Sequence, residues 1–141
     1  MNAAVFDTNV LVSGLLSPHG APGWLVDALQ QGVCRAVVND AVWDEYVDVL
    51  GRPDFGFPPG DMATMLELLR QHALHAPAAG ESLRLIRLPD SDDAPFLACA
   101  AALGVPLVTG NLKHFPRAVA GKVEVFVPAE YVRRLRSSLG R

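Results

Sequence analysis

Carboxylates are the residues in this sequence whose placement suggests chemistry. Asp7 closes the apolar run Ala3-Ala4-Val5-Phe6 and is followed by Thr8 and Asn9. Glu45 stands inside a segment with helical periodicity, and Asp90, Asp92 and Asp93 fall together after another short apolar run. A further polar group, Thr109-Gly110-Asn111, follows Leu107-Val108. Convergent carboxylates are what a hard divalent cation such as Mg²⁺ or Mn²⁺ requires, because these ions take oxygen ligands. Such an ion lowers the pKa of water and polarises a phosphate oxygen, so hydrolysis without a covalent intermediate is the chemistry on offer. No Ser or Cys is placed to act as a nucleophile.

Each acid also has a structural reading. With about 100° of rotation per residue, Val42, Trp43, Tyr46, Val49 and Leu50 share a face, Asp44 and Asp48 point away, and Glu45 lies at the boundary. A carboxylate there is partly buried and needs a partner, which an Arg would supply as well as a metal. Asp92 and Asp93 precede a helix carrying Pro95 in its first turn, the place for an N-cap. One Asp suffices for a cap, and capping leaves the surplus charge unexplained. Asp7 is hardest to explain structurally, since a buried strand gains nothing from ending in a carboxylate.

The elements that must position these residues alternate. Ala3–Phe6 reads as a buried strand, and Val10–Leu16 is a short apolar stretch broken by Ser17-Pro18-His19-Gly20. Pro22 opens a helix stopped by Gly32. Val33–Val38 reads as a strand, Asn39 as an N-cap, and Asp40–Leu50 as a helix. The stretch 54–60 is loop, Asp61–His75 a helix with Met62, Met65, Leu66 and Leu69 on one face, and 77–80 linker. Leu83–Leu88 reads as a strand, followed by a helix from the Asp cluster to Leu103. Leu107–Thr109 is a strand, then comes a loop or short helix, then a strand at Val123–Val127 and a helix from Pro128 to about Leu135. Strands alternating with helices predict an α/β fold with a mostly parallel sheet. In such sheets, function concentrates at the C-terminal strand ends, where Asp7, the Asp90–Asp93 cluster and Thr109 all fall.

The 141 residues predict one domain over 1–141, with an ordinary globular composition. No apolar run suits a membrane span and no secretory segment opens the chain, so a cytoplasmic, membrane-free protein is expected. Cys34 and Cys99 read as two buried thiols in a reducing compartment. The net charge of −3 argues against generic coating of nucleic acid, but metal-holding carboxylates count in that sum. Arg133, Arg134 and Arg136 read as a solvated helix end.

Four segments together resemble a known family. VFDTNVLVSGLL, NDAVWDEYVDVL, LPDSDDAPFLACAAALG and VPLVTGNLKHFP occur in the order and spacing of PIN-domain ribonucleases, of the kind found as toxins in bacterial toxin–antitoxin pairs. The resemblance implies a three-layer sandwich, a central largely parallel sheet between helices. It implies a Mg²⁺- or Mn²⁺-dependent endonuclease acting on RNA, with a cognate antitoxin and a homodimer as partners. Asp7, Glu45 and Asp93 match the family's acidic positions, Asp93 being preferred to Asp92 by its distance from Leu107-Val108-Thr109. Asp90 is an accessory acid, with Asp92 beside it, and Thr8, Asn9 and Thr109 are expected to orient the carboxylates. Where many members carry a fourth Asp, this chain has Asn111, a metal ligand without charge, so one firmly held ion is expected and a second that is weak or arrives with substrate. Lys113 and His114, directly after that turn, are expected to contact the RNA backbone.

Other readings are less favoured. A phosphotransfer or receiver domain would end its first strand in paired acids or Asp-x-Asp. No G-x-G-x-x-G or G-x-x-x-x-G-K is present for nucleotide binding. His72 and His75 lack the further ligands of a zinc site. The alternative of a different class is a catalytically silent PIN-like domain that binds RNA or a protein, which Asn111 keeps open. The Met62–Leu69 face is then either a partner surface or core.

Overall fold

The computed structural model describes residues 2–78 and 87–139. Strand β1 (Ala3–Phe6) is buried along its whole length and leads straight into helix α1 (Thr8–Leu16), then α2 (Ala21–Gln30). Strand β2 (Arg35–Val38) leads into α3 (Asp40–Leu50), and α4 (Pro59–His72) into β3 (Leu74–His75). Helix α5 (Ala94–Leu103) precedes β4 (Leu107–Val108), and the short α6 (Arg117–Ala120) precedes β5 (Val125–Phe126) and α7 (Pro128–Leu139).

The strands form one sheet of order β3-β2-β1-β4-β5, with every pairing parallel. Chain order runs outward from β1 to β3, then returns to β4 on the other side of β1. Right-handed crossovers therefore place helices on both faces, giving the expected three layers. Helix α2 packs against α4 and α7, and α5 packs on β1 and β2 beside α3. The point where the order reverses lies between β1 and β4, the place where open parallel sheets bind ligands.

Two departures from the sequence reading change how the sheet and the site are built. Leu74–His75, assigned to the end of the preceding helix, forms β3 instead. Ala73 turns to an extended conformation, and the Ala76 N–H bonds the Val38 carbonyl, so this segment satisfies the outer backbone groups of β2. Residues 10–16, read only as a short apolar stretch, belong to a full helix, Thr8–Leu16, with Asp7 at its N-cap position. Close packing of small residues holds that helix to the next. A Cβ at Gly23 would stand 2.1 Å from the Pro18 carbonyl oxygen, and one at Gly14 2.6 Å from that of Pro22. Most of the strand expected at 83–88, and part of the 77–80 linker, lie outside the described residues.

Met62, Met65 and Leu69 are buried in the core, so that stripe is internal packing. Cys34 and Cys99 are free and buried. Arg133, Arg134 and Arg136 are exposed on α7, with Arg134 over the Phe126 ring. Among the described residues no helix is long and apolar enough to cross a membrane.

Candidate active site

The register of the sheet builds the site. Phe6 pairs with Val108, so the next residue on each strand, Asp7 and Thr109, emerge side by side at the switch point. Backbone bonds fix both: the Asp7 N–H donates to the Val108 carbonyl and the Thr109 N–H to the Phe126 carbonyl. Both residues are buried, and the Thr109 hydroxyl donates to Asp7 Oδ2 at 2.7 Å. That hydroxyl in turn accepts the Asn111 backbone N–H at 3.1 Å. Thr109 thus orients Asp7 and shapes the turn after β4 with one oxygen.

Glu45 arrives from α3. Its carboxylate is half-buried, as the helical period predicts, and its Oε2 accepts the Thr8 hydroxyl at 2.7 Å. Its partner among the described residues is this hydroxyl, not an arginine. Because Thr8 adjoins Asp7, the bond ties α3 to the end of β1. Tyr46, the next residue, is fully buried and donates its phenol to the Phe6 carbonyl, one residue before Asp7. Burial, above all, pushes that phenol well above its ordinary pKa, so it stays a neutral donor. Sequence reading put Tyr46 on the apolar face and missed this anchoring role. The signal available was its position beside Glu45.

The aspartate cluster divides its labour. Asp90 Oδ1 accepts the Asp92 N–H at 2.9 Å and caps the short 3₁₀ turn Ser91–Asp93. Asp92 is exposed. Asp93 occupies the N-cap position of α5 but makes no capping bond with its side chain, as is true of Asp7 at α1. Asn39, by contrast, caps α3 by accepting the Val42 N–H. Two carboxylates thus stand at helix N-termini with their side chains withheld from the usual task.

Asp93 lies close enough to Asp7 to feel its negative charge. Burial raises the Asp93 carboxyl from 3.8 to about 6, and the negative charge of Asp7 adds to the rise, while His114 opposes it. Asp93 Oδ2 is the buried side-chain oxygen left without a hydrogen-bond partner among the described residues. His114 Nδ1 lies 2.9 Å from it, at ion-pair distance.

Of the remaining expected residues, Asn111 brings its backbone N–H to the site through Thr109. Asn9 is exposed, with no bond to the three acids among the described residues, and Lys113 is exposed on the turn Leu112–His114. His114, expected at the RNA backbone, stands against Asp93.

Among the described residues no three His, Cys, Asp or Glu side chains stand close enough together to form a ready cage for an ion. Mg²⁺ does not need one: it is typically held by one or two carboxylates, with water and substrate phosphates completing the shell. The Asp7–Asp93 pair fits such an ion. Two carboxylates near enough for their charges to interact, one of them largely withdrawn from water, are an oxygen donor set that a divalent cation would neutralise. Two clefts of about 510 and 380 Å³ lie elsewhere, around α6 and β5, and none of Asp7, Glu45, Asp90, Asp92 and Asp93 lines them.

A family model described as a PIN domain matches residues 3–113 of this chain. No curated protein matches it.

Proposed function

The chain belongs to the PIN-domain family, and from that premise we propose that it is a Mg²⁺- or Mn²⁺-dependent endoribonuclease, the toxin of a toxin–antitoxin pair. The observation that carries the reading is the gathering at the switch point of Asp7, held by Thr109, and Asp93, both at helix N-termini with their side chains making no capping bond. When bound, a divalent ion would activate water and polarise the scissile phosphate. Asp7 and Asp93 hold that ion, and Glu45, fixed by Thr8, completes the acidic set. Thr109 keeps Asp7 in one orientation, so no rearrangement is needed when substrate arrives. Asn111, whose N–H bonds Thr109, would add an uncharged amide oxygen, and the exposed Lys113 would meet the RNA backbone.

The nuclease unit extends over 1–141. Beyond the matched residues, β5 completes the sheet beside β4, and Tyr131 of α7 packs edge-on against Phe6 at 5.9 Å between ring centres. Two buried free thiols suit a reducing, cytoplasmic setting. A homodimer and a cognate antitoxin follow from the toxin reading.

Cleavage of a structured RNA pool by the purified chain tests the proposal, with Mg²⁺, Mn²⁺ or EDTA and beside Asp7→Asn. Metal-dependent cutting lost in the variant supports it. No cutting with any metal would instead favour a silent RNA- or partner-binding domain.

A further inference from the structure

His114 stands against one of the acids. It belongs to the 3₁₀ turn Leu112–His114, which follows β4 and Thr109, while Asp93 opens α5. The two meet with Nδ1 2.9 Å from Oδ2, and the Asp93 side chain is only 14% exposed. Among the described residues, the imidazole is the polar group that stands against Oδ2. Carboxylates that hold metals generally need such an outer partner to fix which oxygen faces the ion.

We propose that His114 is the positioning residue for Asp93: its imidazole backs Oδ2 and reserves the other carboxylate oxygen for the cation. The role rests on the metal-dependent reading of the same acids. It assigns His114 to the metal side of the site and leaves Lys113 as the phosphate contact of this turn. The turn from β4 then steers two acids, Asp7 through Thr109 and Asp93 through His114.

Calorimetric titration of Mn²⁺ into the full-length chain tests this without reference to cleavage. His114→Ala is expected to bind Mn²⁺ about 10- to 100-fold more weakly than the parent. His114→Asn, whose amide N–H can stand near the position of Nδ1, should restore most of that affinity, whereas His114→Gln, with its amide one carbon further out, should not. The Asn–Gln comparison keeps the test decisive if the Ala variant fails to fold, as circular dichroism would show. Equal or tighter binding by His114→Ala, or equal weakening by Asn and Gln, would overturn the assignment while leaving the metal site standing. Absence of Mn²⁺ binding by the parent would overturn the metal reading and this role together.

Discussion

Thr109 and Asp7, separated by 102 positions in the chain, share a 2.7 Å hydrogen bond at the point where the sheet reverses its strand order. Both residues are buried, so the bond is the main polar satisfaction visible for that Asp7 oxygen. It links the β1 and β4 ends directly, beyond what the sheet ladder provides.

Replacing Thr109 with Val keeps the branched shape and removes the hydroxyl. Asp7 Oδ2 then loses its donor and the Asn111 N–H its acceptor. Leaving a buried polar group unsatisfied costs about 1–3 kcal/mol. Urea unfolding of metal-free Thr109→Val should show a loss of that order, and a variant as stable as the parent would show that the bond contributes nothing.

Thr8→Val separates stability from activity. Glu45 is only half-buried, so its carboxylate can turn to water when the hydroxyl is gone. The stability loss should be small, about 1 kcal/mol. Orientation of the acid is lost, and single-turnover RNA cleavage should fall about 10- to 100-fold. Unchanged cleavage would remove Glu45 from the reacting centre.

Asn111→Asp adds a charge on the turn after β4. It should tighten Mn²⁺ binding and make a second ion measurable, because an anionic oxygen replaces a neutral amide. Titration showing one ion at parental affinity would mean that position 111 faces away from the cation.

Much of this arrangement was legible from the chain. The strand ends that carry Asp7 and Thr109, and the boundary position of Glu45, followed from apolar runs and helical period. Local patterning contains no pairing partner, however, so Leu74–His75 read as helix until β2 supplied an edge for it. The aspartate cluster read as caps plus surplus charge, and only the fold shows that Asp90 caps while Asp93 meets His114. The hydrogen bond of Tyr46 and the contact of His114 were not legible for one shared reason: their partners, the Phe6 carbonyl and Asp93, lie far away in sequence.

The raised Asp93 carboxyl sets the pH response of the metal-free protein. Unfolded, the group titrates near 3.8; folded, burial and then Asp7 raise it to about 6, against the opposing influence of His114. Between these values the folded state holds the proton more tightly than the unfolded state. The stability this proton contributes is fully present below the unfolded value, and it is lost as pH rises through the folded one. Thermal melts in EDTA should therefore show Tm falling between pH 4 and pH 7 more steeply for the parent than for Asp93→Asn, which has no proton to lose. Saturating Mg²⁺ should flatten the parent's slope, because a cation favours the ionised form that burial penalises. Parallel slopes for parent and variant in EDTA would mean that Asp93 titrates as an ordinary surface acid and that Asp7 does not lie close to it in solution.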